Sequence, residues 1–272
     1  MTQGGYTVNI PVPMAEMDPV AYTYPTTPSY TDIQNIVIPT VPLTFNNQWR
    51  TRIKANQLES RIAAGNLTNI LELAKPGVME GMVRQIDKSL IALYTGFSNT
   101  PVGTPGVAIS DPTIRSGIAT LSAQMVDPTA GDVHLIFGDQ VYWNQLSGLT
   151  AYQAAYAVGD NKLIREGDVG NLYGLRVNFS QNIVQTATSP VTTNNLMFQQ
   201  DAFVIGFLEF EPAKKYSESA PVDEYIYVDP QTGVAVRAQM SYSVELQSWI
   251  YSVDVCYGVA VYMAARGVVV QT

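Results

Sequence analysis

Charge is scarce in this chain. Lys, Arg, Asp and Glu make up 14% of its 272 residues, against about 25% in an ordinary soluble domain. Hydrophobic content is 46%, so the shortfall falls on the surface, which is left to Thr, Ser, Asn, Gln and Tyr. The single cysteine, Cys256, rules out an internal disulfide and is compatible with a reducing compartment. The single histidine, His134, lies inside the apolar run "VHLIF", where a buried, hydrogen-bonded ring is expected. A Ser-His-Asp or Cys-His centre would have to use it, and no G-x-S-x-G accompanies it. Histidine–cysteine zinc sites are excluded by count. Neither a Walker A loop nor G-x-G-x-x-G occurs. With a net charge of −8 and no long Lys/Arg run, tight nucleic-acid binding is not expected. The opening "MTQGGYTVNIPVP" has no basic or apolar region of a signal peptide. These absences point to no catalytic residue, no metal and no cofactor.

Long apolar runs are missing too. The greasiest stretch is the closing "VDVCYGVAVYMAARGVVVQT", where only eleven uncharged residues separate Asp254 from Arg266. Crossing a bilayer takes roughly 20. Its β-branched residues predict two short buried strands joined by a turn over Ala264–Gly267.

What is present in excess is tyrosine, 16 residues. Interface centres are poor in charge and rich in tyrosine, so the composition fits a chain largely covered by partners, or equally a low-charge monomer. Seven of the 16 prolines fall in the first 42 residues. Interleaved with Tyr22 and Tyr24, they predict an extended arm lying across another surface. "IQNIVIPTV" and "QWRTRIKANQ" read as a long hairpin. In the second, Trp49, Thr51 and Ile53 alternate with Arg50, Arg52 and Lys54, giving an apolar and a cationic face.

The clearest helix is expected over Pro76–Phe97, with Pro76 at its first position. Met79, Met82, Val83, Ile86, Leu90, Leu93 and Phe97 form its apolar stripe, and Glu80 and Asp87 stand within reach of Arg84. Gly77 and Gly81 inside it imply close backbone packing or a bendable helix. Asp111-Pro112 predicts a capped second helix, Asp139 caps a third, and Thr150 opens a fourth through Val158. "VHLIF" reads as a buried strand. The remainder is β-rich, with a "DPQTG" turn between "VDEYIYV" and "VAVRAQMSYSVEL". Glu209 with Glu211, and Glu166 with Asp168, are carboxylate pairs that read as solvated turn and edge residues. The chain is of the α+β class.

"GDVGNLYGLRVNFSQNI" resembles a segment recurrent in the major capsid proteins of tailed bacteriophages, carried by Gly167, Gly170, Tyr173, Gly174, Val177, Ser180 and Asn182. The closing stretch is similar to that family's final strands, with Tyr257-Gly258 in a strand and Arg266-Gly267 at a turn before the last valines. The helix after Pro76, with its Ile86-Asp87 pair, is similar to the family's spine helix. The resemblance covers about residues 71–272 by motif, and 1–70 by position and character.

It implies a Hong Kong 97-type fold: an N-terminal arm (1–32), an extended hairpin loop (33–70), a peripheral domain with the spine helix (71–110), an axial α/β domain (111–183), and peripheral C-terminal strands (184–272). It implies a shell of hexamers and pentamers around double-stranded DNA, in a virion assembled in the host cytoplasm. DNA would be enclosed without tight sequence-specific binding, and no membrane would be involved. Because the chain opens directly on the arm, a separate scaffolding protein is expected, with a portal and a decoration protein as further partners. Tyr22, Tyr24, Trp49, Arg50, Arg52 and Lys54 would contact neighbouring subunits. Some members weld subunits by a lysine–asparagine bond; Lys54 lies in the corresponding hairpin, but no partner asparagine or acid is identifiable. Two alternatives stand beside this reading: an encapsulin-like nanocompartment shell, and a lone β-rich hydrolase or carbohydrate-binding protein.

Overall fold

The computed structural model describes residues 6–12, 38–56, 67–146, 149, 171–186, 190–212 and 223–272. Tyr22, Tyr24, Gly167, Gly170, the Glu166–Asp168 pair and the helix expected from Thr150 lie outside them. Two large sheets organise the rest.

The first sheet is built on β13 (Ser248–Val261), a 14-residue strand. One side of β13 pairs antiparallel with β12 (Ala235–Ser243), which pairs with β11 (Asp223–Val228) through the "DPQTG" turn. β10 (Phe203–Phe207) continues on that same side past the end of β12, and the other side takes β3 (Asn47–Asn56). Among the described residues β2 and β3 therefore do not pair as the expected hairpin. β2 (Thr40–Phe45) pairs instead with β1 (Tyr6–Pro11) in a two-stranded sheet. Only Asn46 separates β2 from β3, and each strand satisfies its ladder with a distant partner.

The second sheet runs β4 (Val102–Gly103), β14 (Gly267–Gln271), β9 (Thr192–Gln199), β5 (Val133–Gly138), β7 (Leu175–Ser180) and β6 (Asn171–Leu172), with β8 (Gln185–Thr186) also on β9. β5–β7 and β4–β14 are parallel, the others antiparallel. The greasy C-terminal stretch thus supplies one strand to each sheet, with a short 3₁₀ turn over Ala264–Arg266 between them.

The spine of the molecule is α1 (Leu67–Ile91). It starts nine residues before the expected Pro76 and gives way to a 3₁₀ turn at Ala92–Gly96 rather than reaching Phe97. Pro76 is interior, where the missing N–H removes one ladder bond without ending the helix. The buried stripe is also narrower than the periodicity implied. Val78 and Met82 pack with Val253, Val255 and Tyr257 of the first sheet, but Met79 and Val83 are 44% and 63% exposed. Gly77 and Gly81 have nothing within 4 Å of an added Cβ, so close packing among the described residues does not explain them.

α2 (Asp111–Ser122) and α3 (Asp139–Asn144) cover one face of the second sheet. Asp111 and Asp139 are first-turn residues rather than caps; the capping positions are Ser110 and Gly138. Alternation along β5 sends Val133, Leu135 and Phe137 to the α2/α3 side and Ile136 to the α1 side.

Candidate functional site

Among the described residues no three His, Cys, Asp or Glu side chains come together as a metal set. Cys256 is buried, and burial raises its thiol pKa. His134 is half-buried and stacks on Phe198 instead of being sealed in the core, and its ring has no hydrogen-bond partner among the described residues. It lines a cleft of about 440 Å³ with Leu90, Ile91, Arg176 and Phe203. Burial lowers its pKa and the Arg176 charge adds to that. Glu209 and Glu211 follow the end of β10 and are exposed.

The residues that carry the sequence motifs each do identifiable structural work. Tyr173 and Gly174, with φ of 53° and 85°, form the two-residue turn between β6 and β7, where both central positions require positive φ. Tyr173 donates its hydroxyl to Asp111 at 3.0 Å, tying this turn to α2. The Ser-x-Asn element meets the helix motif: Ser180 Oγ and Asn182 Nδ2 both donate to Asp87, at 2.9 and 2.5 Å. Asp87 is therefore turned to the end of β7 rather than to Arg84, and no Glu80–Arg84 pair is among the ion pairs of the described residues.

Tyr257, fully buried, shares a hydrogen bond of 2.7 Å with Ser89 and reaches the Gln85 carbonyl at 3.3 Å. Gly258 faces Gly206 across the β10–β13 pair, and together they open a trench for β2. A Cβ on Gly258 would lie 2.6 Å from the Thr44 carbonyl oxygen, and one on Gly206 would lie 2.8 Å from Leu43. Gly267 is overlain by the Phe97 ring. Arg266 donates to Gln199 at 2.9 Å and Asp201 at 3.1 Å, where the chain passes between the sheets.

The expected two faces of β3 are present, but one member of the cationic face is committed inside the subunit. Arg50 binds Asp254 with Nε at 2.5 Å and Nη2 at 2.9 Å. Arg237 of β12 reaches the same carboxylate at 2.7 Å and stacks its guanidinium 4.3 Å over Phe210. The hydrogen bond to Asp254 raises the Arg50 pKa, with burial opposing it. Arg50 is thus clamped within the chain while 37% of its side chain stays exposed. Arg52, Lys54 and Trp49 remain exposed.

Sequence reasoning missed Asp254 and Arg237. They stand directly opposite Arg50 and each other in the ladder, and only the register reveals that. It also missed Asn195, fully buried, which accepts from the Gly138 N–H at 2.9 Å and donates to the Val270 carbonyl at 3.0 Å. A polar residue satisfied on both sides in this way stitches β14 to the β5–α3 corner.

At the level of sequence, no protein-family model and no curated protein matches the chain. Solved structures do match it. The capsid of the cyanophage P-SCSP1u superposes with a TM-score of 0.62 at 10% identity, over 99% of this chain and 84% of that one. The acid-stable capsid of Helicobacter pylori bacteriophage KHP30 gives 0.62 at 10% identity, over 100% and 85%. The mature capsid of bacteriophage PhiM1 gives 0.60 at 13% identity, over 99% and 82%. The mixed α+β, sheet-rich fold of this chain is the fold of phage capsid subunits.

Proposed function

We propose that this chain is the major capsid protein of a double-stranded DNA bacteriophage, and that its activity is assembly with copies of itself. The observation that carries the reading is the match to capsid chains over nearly the whole length. The finer organisation proposed is of Hong Kong 97 type: arm 1–32, loop 33–70, spine-helix portion 71–110, axial domain 111–183 and C-terminal peripheral strands 184–272. In this organisation β3 anchors the base of the loop to the subunit's own sheet. Tyr22, Tyr24, Trp49, Arg50, Arg52 and Lys54 are the proposed contacts between subunits. A scaffolding protein, a portal and a decoration protein are proposed partners, in a virion capsid assembled in the host cytoplasm.

Individual contacts between such subunits need not be strong. A standard interface buries about 1,600 Å², and a subunit held by several neighbours at once gains from effective concentration what each contact lacks. A net charge of −8 suits a wall around DNA, because a lining that held phosphates tightly would resist packing and release of the genome.

Electron microscopy of particles from the native source tests the reading. Closed icosahedral shells holding packed DNA behind a portal vertex are expected. Shells filled with an enzyme would make the chain a nanocompartment protein, and a strictly monomeric species under all assembly conditions would overturn the shell altogether.

A further inference from the structure

The first sheet ends in two bare edges. β3 has β13 on one side and β11 has β12; among the described residues neither carries a strand on its outer side. Each edge therefore presents unpaired backbone N–H and C=O groups, a template for one more strand.

The two edges differ in chemistry in a complementary way. Residues directly opposite in an antiparallel ladder share a face, and the register gives unbroken rows from edge to edge. One row is Arg52–Ser252–Gln239–Glu224, and another is Trp49–Val255–Val236–Tyr227. On one face the β3 edge ends in exposed Arg52 and Lys54, and the β11 edge ends in Glu224, which accepts from Gln239 at 2.7 Å, while exposed Asp223, next along β11, lies on the opposite face. On the other face Trp49 is 42% exposed at one edge, with Tyr225 and Tyr227 at 66% and 51% at the other. A cation with an aromatic thus ends one side of the sheet, and carboxylates with aromatics end the other.

Strand polarity agrees. All three pairings from β3 through β13 and β12 to β11 are antiparallel, so β3 and β11 run in opposite directions. A second copy displaced sideways in the plane of the sheet brings its β11 alongside β3 in the antiparallel sense, continuing the alternation. Like edges repel: β3 against β3 opposes Arg52 and Lys54 to themselves, and β11 against β11 opposes Asp223 and Glu224. The charges therefore disfavour the symmetric pairings and favour the head-to-tail one.

We propose that copies of this chain join head to tail through these edges, β11 of one copy antiparallel to β3 of the next, as a sheet continuous across the subunit boundary. This rests on the shell reading and names one contact within it. A head-to-tail contact closes into a ring when each step adds a fixed rotation, and the twist between neighbouring strands supplies one.

Hydrogen exchange on assembled particles and free subunits tests it, alongside charge swaps in the full chain. Amides of β3 and β11 should both gain protection on assembly. Arg52→Glu with Lys54→Glu should lower particle yield about tenfold, as should Asp223→Lys with Glu224→Lys, while the four together restore it. Circular dichroism on the free variants checks that each still folds. If the fourfold variant does not fold, exchange in the unaltered chain still decides. Particles whose β3 and β11 amides exchange as fast as in the free subunit, or whose yield ignores the swaps, overturn the contact and leave the shell standing. Protection of β3 that survives Asp223→Lys with Glu224→Lys means another segment or protein covers that edge, and also overturns it. Failure to form any particle removes the shell reading and this contact with it.

Discussion

Reversing the charge at Arg50 and at Arg52, two residues apart on the same face of β3, should have very different effects on the free subunit. Arg50 and Arg237 share the Asp254 carboxylate, whose side chain has no solvent exposure, while Arg50 itself is 37% exposed. A hydrogen bond to a charged group contributes about 1.5–3 kcal/mol. Removing the arginine while Arg237 stays therefore costs about 2 kcal/mol. A glutamate adds like-charge repulsion, about 4 kcal/mol at 4 Å in an effective dielectric near 20, reduced by water at the half-open side. Arg50→Glu should lose about 4 kcal/mol in all, and Arg52→Glu no more than about 0.5 kcal/mol. Urea unfolding followed by tryptophan fluorescence reads both, because Trp49 adjoins Arg50 and Trp249 sits on the facing strand. With a denaturant slope of about 3 kcal/mol/M, the midpoint should fall by about 1.3 M for the first and under about 0.2 M for the second. Replacing the whole cluster, as Arg50→Met with Asp254→Leu and Arg237→Met, should cost less than Arg50→Glu alone, because the buried ions' desolvation is removed along with their attraction. Equal small shifts at positions 50 and 52 would refute the claim that Asp254 pins β3 to its own sheet.

Three further outcomes are expected. Gly77→Ala and Gly81→Ala, with open space around the added methyl, should each stabilise the free subunit by about 1 kcal/mol, raising Tm by about 2–4 °C; a fall would mean that this face is covered or the helix bent there. Asp87→Ala should cost about 2 kcal/mol by releasing Ser180 and Asn182, and the losses from Ser180→Ala and Asn182→Ala should not add to it; a midpoint unchanged in urea would sink the latch. Because the His134 pKa is lowered in the folded state, the unfolded chain takes up the proton first. Stability should then fall as pH drops below about 6.5, and His134→Gln should flatten the pH dependence of Tm between pH 7 and 5.

Local chemistry was readable from the sequence where its cause is local. The β11 and β12 strands around "DPQTG" and the alternation along Trp49–Lys54 both follow from a spacing of two and from turn chemistry, and both are present. The start of α1 was misjudged because Pro76 is tolerated at a first position and, less often, inside a helix, and spacing alone does not separate the two. Strand partners were not readable at all. Arg50 and Asp254 are 204 residues apart, and nothing near either announces the other. The same holds for Gly258, whose lack of a side chain is explained only by the backbone of Thr44 crossing above it. The register of the first sheet, which turns scattered charges into two opposed edges, is likewise a property of pairing rather than of order along the chain.

The passage between the sheets has a mechanical meaning. The chain crosses there three times: from α1 to β4 past Phe97–Asn99, from β9 to β10 through the 3₁₀ turn at Gln200–Ala202, and from β13 to β14 through Ala264–Arg266. The crossings are fastened to each other, Tyr262 N–H on the Ala202 carbonyl at 2.9 Å and Arg266 on Asp201 at 3.1 Å. Three tethers fastened side by side oppose sliding and torsion between the bodies they join, with Asn99 donating to the Ala265 and Gly267 carbonyls at 2.6 and 2.9 Å. A load applied to one sheet is therefore taken up by all three at once, and the bonds of Asp87 to Ser180 and Asn182, from α1 to the end of β7, tie the two bodies at a second place.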